Sequence, residues 1–123
     1  MTKFYGNPIS RQDGLDVVTP PEEIDIVNAD RVLFELMLAA RTASIVVLDM
    51  SRTQFCDSSG FLRIAMAGDH LRAIGGDLRV VCGERMHMLM GINGDDEHVT
   101  VFARLIEALN ARPGSAPELV PAA

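Results

Sequence analysis

The apolar positions of this chain change period several times, and each change marks an element. Ile45-Val46-Val47-Leu48 is a continuous, β-branched run, the pattern of a strand buried on both faces. Leu15 to Thr19 and Leu78 to Cys82 read as two further strands, and Val99 to Val101 as a short last one. Pro20-Pro21 stops the first of these, because proline cannot donate to a ladder. Between the strands the apolar spacing becomes helical. A first helix is predicted over 29–41, with Asn28 as its N-cap, Asp30 in its first turn and Val32, Leu33, Leu36, Ala39 and Ala40 as its core stripe. A second runs over 58–74 on Phe61, Ile64, Ala67, Leu71 and Ile74, with Gly68 allowing close approach to the sheet. Gly75-Gly76 ends it. Two more helices are predicted over 84–92 and 103–110.

Strand, helix and strand within such a span make a βαβ unit, so the strands at 45–50 and 78–82 should be parallel with a right-handed crossover. Both then end on the sheet edge that carries the start of the second helix. The expected class is α/β: a four- to five-stranded mixed sheet with about four helices packed mainly on one side. The 123 residues form one domain over 15–110. Residues 1–14 hold an edge strand near Lys3 to Tyr5, and 111–123, with three prolines and no periodicity, form a disordered tail.

Some apolar residues fall off the core stripes. Phe34 and Leu38 lie among Asp30, Arg31, Glu35 and Arg41, either beneath a loop or terminal segment or as a binding face that includes self-association into a homodimer. Leu62 and Met66 stand four and eight residues after Ser58, forming a strip down one side of the second helix. Met86, Met88 and Met90 read as filling of an irregular core. The acidic run Asp95-Asp96-Glu97 reads as a solvated turn, since its spacing is not that of a calcium loop.

Charge and composition remove several function classes. The net charge is −6, Lys3 is the single lysine and the arginines are scattered, so no basic patch suits nucleic acid. A lysine at that place serves neither a Walker-type loop nor a Schiff base. No apolar run reaches the length of a membrane span and no secretory pattern opens the chain, which places it in the cytoplasm with no membrane association. His70, His87 and His98 lie on separate elements, so no catalytic constellation, metal site or cofactor is expected. Cys56 and Cys82 are too few for a disulfide framework. They could still pair, since Cys56 lies one residue before Asp57 and Cys82 ends the neighbouring parallel strand; the alternative is two inert buried thiols.

The remaining chemistry is at Asp57-Ser58-Ser59-Gly60. Asp and Ser oxygens at a helix mouth accept hydrogen bonds from the free N–H groups of its first turn. The same turn favours negative charge, so a phosphoryl group on Ser58 would sit where the backbone stabilises it.

Taken together, Ile45 to Asp49, Phe55-Cys56-Asp57-Ser58-Ser59-Gly60 and Gly75 to Val81 resemble the STAS domain, and within it the small anti-sigma-factor antagonists of bacteria. Glu23 to Ala29 is similar to the family's segment leading into its first helix, and His98 to Phe102 with Leu105 to Leu109 to its last strand and helix. The resemblance implies a partner switch in transcription regulation and stress response. The unphosphorylated protein captures an anti-sigma factor and frees a sigma factor. The anti-sigma factor, itself a kinase, phosphorylates Ser58, and a PP2C-type phosphatase resets it. Asp25 matches the family's acidic residue near that serine, and the implied contact surface takes in Asp25, Asp57, Ser59, Gly60, Leu62 and Met66. The chain departs from the family pattern at Leu62, where many members have glycine, at Glu22, and at Ala103-Arg104 before the last helix. Two alternatives stand beside this reading: a redox regulator built on Cys56 and Cys82, and a non-phosphorylated STAS adaptor subunit of a larger complex such as a lipid transporter.

Overall fold

A computed structural model describes residues 8–112. Its main sheet has five strands: β1 (Ile9–Gln12), β2 (Leu15–Val18), β4 (Ile45–Asp49), β6 (Asp77–Val81) and β7 (Thr100–Phe102), in spatial order β1-β2-β4-β6-β7. β1 and β2 form an antiparallel hairpin and every other neighbour pair is parallel. The hairpin turns through Asp13 and Gly14, both at positive φ, a conformation that Gly adopts freely and Asp tolerates. A second, two-stranded parallel sheet pairs β3 (Glu23–Ile24) with β5 (Phe55–Cys56).

Among the described residues the four α-helices are α1 (Ala29–Ala40), α2 (Ser58–Ala73), α3 (Glu84–Ile92) and α4 (Leu105–Asn110). The period-2 alternation of the central strands explains how they are distributed. Val46, Leu48, Leu78 and Val80 point into the larger core, built with Val32, Leu36, Phe61, Ile64, Leu71, Met86 and Met90 of α1, α2 and α3. Val47 and Val81 point the other way, to a smaller core with Phe102 and Ala108 that α4 covers. Three helices therefore share one face, as the sequence predicts. α4 is fastened to its face by a buried charge: Arg79 Nη1 donates to the Ala108 carbonyl at 2.6 Å, near the negative end of that helix. Burial lowers the pKa of the guanidinium, and the charge of Asp77 opposes that shift.

The end of α2 forms a Schellman motif. Gly75 N–H donates to Arg72 O at 3.0 Å and Gly76 N–H to Leu71 O at 2.7 Å, with Gly75 at positive φ. A Cβ on Gly76 would collide with the Ser44 carbonyl, which must instead accept from Asp77 N–H at 2.9 Å to start the β4–β6 pairing.

Several sequence expectations need correction. Asn28 does not cap α1 with its side chain: Oδ1 accepts from Asp25 N–H and Nδ2 donates to the Glu23 carbonyl, closing the preceding turn instead. Ile74 is exposed, because the chain leaves helical geometry there. Gly68 makes room for the His98 carbonyl before β7 rather than for a strand of the sheet. α4 starts two residues later than predicted, where Glu107 Oε1 accepts from Arg104 N–H. Met86 and Met90 fill core, whereas Met88 is exposed. Asp95 is buried rather than solvated. β1, β3 and β5 were not predicted. The edge strand expected near Lys3 to Tyr5 lies outside the described residues, as does the tail from residue 113. Among the described residues no helix is long and apolar enough to cross a membrane.

Candidate functional site

β4 and β6 end side by side, with Asp49 opposite Val81 and Met50 N–H donating to the Val81 carbonyl at 2.8 Å. From β4 the chain turns through Ser51 to Gln54 into β5, and β5 leads directly into α2. The short β3–β5 sheet holds this entry in place: Gln54 N–H donates to Glu22 O at 2.7 Å and Asp57 N–H to Ile24 O at 3.0 Å. Gly60 lets the first turn of α2 lie against it. A Cβ there would fall 2.6 Å from Cys56 Sγ and 2.7 Å from Ile24 Cγ2.

Asp57 is the N-cap of α2, in extended conformation, and its carboxylate is heavily used. Oδ1 accepts from Ser59 Oγ at 2.5 Å and from Gly60 N–H at 3.1 Å. The Ser59 hydroxyl holds this carboxyl below the ordinary carboxylate range, against the opposing effect of burial, and backbone N–H groups, Gly60 foremost, add to the lowering. A second segment is tied to the helix tip through the Ile24 carbonyl, which accepts from Asp57 N–H. That segment is a compact turn, in which Asp25 Oδ1 accepts from Val27 N–H at 3.0 Å and the Asp25 carbonyl accepts from Ala29 N–H at 2.8 Å.

The two serines consequently differ. Ser59 is half-buried with its hydroxyl committed to Asp57, whereas Ser58, the first residue of α2, is exposed and its hydroxyl has no partner among the described residues. The sequence argument that the backbone would cradle an anion on Ser58 needs revision. Gly60 N–H already serves the Asp57 carboxylate, and Phe61 N–H donates to the Asp57 carbonyl at 3.0 Å. An anion on Ser58 would meet a carboxylate at that tip.

Several apolar side chains on this helix and its neighbouring elements are exposed. Leu62 and Met66 are exposed on α2, at 54% and 46%, in the strip predicted from their spacing. Phe34 and Leu38 are exposed on α1. Three further residues escaped the sequence reading: Ile26 at 70% and Val27 at 87% exposure, on the turn fastened to Asp57, and Phe55 on β5. The signal that could have found the first two is the pair of flanking Asx residues, Asp25 and Asn28, whose side chains close a turn and leave its middle outward. Asp25 shapes this turn, its carboxylate being engaged by Val27.

Cys56 and Cys82 are free and buried. Burial, with the charges of Asp57 and Asp95 behind it, pushes the Cys56 thiol up to about 12. Burial and Asp96 push Cys82 up to about 11. Little thiolate exists at neutral pH, and the thiolate is the reactive form. Among the described residues no group of His, Cys, Asp and Glu is arranged to hold a metal ion.

The sequence model of the STAS domain matches residues 8–108. Among solved structures the chain is similar to an anti-sigma factor antagonist from Mycobacterium paratuberculosis, at 25% identity and a TM-score of 0.72, over 82% of this chain and 87% of that one. It shares its fold with the Thermotoga maritima protein TM1081 in solution, at 18% identity and a TM-score of 0.73, over 89% of this chain and 90% of that one. Among curated proteins none matches.

Proposed function

The chain belongs to the STAS domain family, and we propose that it is an anti-sigma-factor antagonist whose binding surface surrounds Ser58 and is switched by phosphorylation there. It acts by binding, with no catalysis of its own. In its unphosphorylated form the tip of α2 and the Asp25–Asn28 turn dock on an anti-sigma factor, which then releases its sigma factor. Ile26, Val27, Leu62 and Met66 supply apolar contact, and Asp57, Ser59 and Gly60 hold the tip in shape. The partner brings the nucleotide: Ser58 Oγ takes the terminal phosphoryl group of ATP, ADP leaves, and a phosphatase of the PP2C type later removes the phosphate by hydrolysis.

The observation that carries this reading is the contrast between the two serines at one helix tip. A phosphoryl group brings about −1.5 to −2 charges. On Ser58 it stands next to the Asp57 carboxylate, whose N–H partners are already taken, and in the middle of an apolar contact surface. Repulsion and desolvation then oppose docking without any rearrangement of the core. A loss of about 3 kcal/mol lowers affinity more than a hundredfold.

Calorimetric titration of the anti-sigma factor against wild type, Ser58→Ala and Ser58→Asp tests the switch. Wild type and Ser58→Ala should bind alike, and Ser58→Asp at least tenfold more weakly. Equal binding of all three would overturn the switch and leave a constitutive adaptor.

A further inference from the structure

The turn between α3 and β7 treats its acidic residues unequally. Asp96 and Glu97 are exposed, whereas Asp95 is 1% exposed and its Oδ2 has no hydrogen-bond partner. The turn is a single 3₁₀ winding over Asp95–Glu97, entered through Gly94 at positive φ and closed by His98 N–H donating to the Asp95 carbonyl at 2.8 Å.

Two helices grip it. From α2, Asp69 Oδ1 lies 2.5 Å from His98 Nδ1, Arg72 donates to the Glu97 carbonyl, and Gly68 leaves the space that the His98 carbonyl occupies. From α3, His87 Nε2 lies 3.5 Å from Asp96 Oδ1, and Gly91 faces the Asp96 carboxylate. Asp95 thus sits inside a seam whose outer contacts hold it in place.

We propose that Asp95 is a proton-operated lock on the seam between α2 and α3, seated while its carboxyl is neutral and driven outward when it ionises. An ionised carboxylate without hydrogen-bond partners is strongly disfavoured in a protein interior. The groups facing it offer little relief. α2 contributes Asp69 and Arg72, α3 contributes His87, and the turn itself adds Asp96, Glu97 and His98. Across the core the Cys56 thiol feels the same charge. Burial pushes Asp95 up to about 7; charged His98 works against that shift and Asp96 adds to it.

The direction follows from linkage. A carboxyl whose folded pKa lies above its unfolded value stabilises the folded form fully below the unfolded value of 3.8, and that contribution is lost as pH rises to about 7. The lock is therefore tightest in acid and loosens progressively as pH rises to about 7, independently of any partner at Ser58.

The test follows the Asp95 carboxyl carbon by NMR between pH 3 and 9, with amide hydrogen exchange of His98 and Val99 in wild type and Asp95→Asn. The expected midpoint is near 7, and exchange, corrected for its intrinsic pH dependence, should accelerate about tenfold between pH 6 and 8 in wild type only. A midpoint near 4, or the same acceleration in Asp95→Asn, would overturn the lock. Should Asp95→Asn fail to fold, the wild-type midpoint alone decides.

Discussion

At the tip of α2 the fold leaves Ile26, Val27, Phe55 and Leu62 open to solvent, while against the second half of the same helix it buries the carboxyl of Asp95. The two regions invert the ordinary sorting of side chains, and they do so by opposite means. At the tip, polar groups satisfy one another within the backbone (Asp57 on Gly60, Asp25 on Val27), which fixes a turn with its apolar residues outside. In the α3–β7 turn, charged and polar contacts on the rim hold a polar group inside. Exposed apolar residues on a rigid support suit binding; a buried unpaired acid suits sensing.

Substitutions sharpen this contrast. The largest effect is expected from neighbouring residues of opposite fate. Ile24, fully buried, should lose about 2–5 kcal/mol of stability on Ile24→Ala. Ile26→Ala, two positions on, should stay within about 0.5 kcal/mol. Urea denaturation of both variants checks the pair, and similar losses would mean that the Asp25–Asn28 turn packs as core. Next comes Gly68→Ala, whose methyl would meet the backbone carbonyl of His98; destabilisation of about 1–3 kcal/mol is expected in the same assay. Gly60→Ala meets only side chains, Cys56 and Ile24, and should cost less.

A smaller effect is expected at Asp57. Its depressed pKa means that its stabilising contribution is present above the ordinary value of 3.8 and is lost as pH falls through the folded value. Asp57→Ala should lower the melting temperature by a few degrees near neutrality and flatten the acid limb of the stability profile, as followed by circular dichroism. Leu62→Ala, finally, should leave stability unchanged within about 0.5 kcal/mol while weakening capture of the anti-sigma factor.

The same contrast explains what could be read from the sequence. The buried parallel strands around Val46-Val47-Leu48 and Val80-Val81 were legible because both faces of each are apolar, and α2 because its cap, stripe and terminal glycines agree. Ser58 at the helix mouth and the Leu62–Met66 strip followed from spacing. β3 and β5 were hidden because each has two residues, too few to show any period. Ile26 and Val27 look like core by type, and Asp95 looks solvated by type. For Ile26 and Val27 the turn is closed by their own neighbours Asp25 and Asn28, whereas the turn around Asp95 is held by residues distant in sequence, such as Asp69, which periodicity cannot register.

The central claim is that one exposed hydroxyl, beside a carboxylate that already accepts from Gly60 N–H and the Ser59 hydroxyl, controls docking. Incubating the full chain with its anti-sigma factor and ATP, then mapping phosphate by mass spectrometry, tests it most directly. The account predicts a single phosphate on Ser58, none on Ser59, and release of the partner as the phosphate accumulates. Phosphate on another residue, or a complex that persists once Ser58 is phosphorylated, would contradict it.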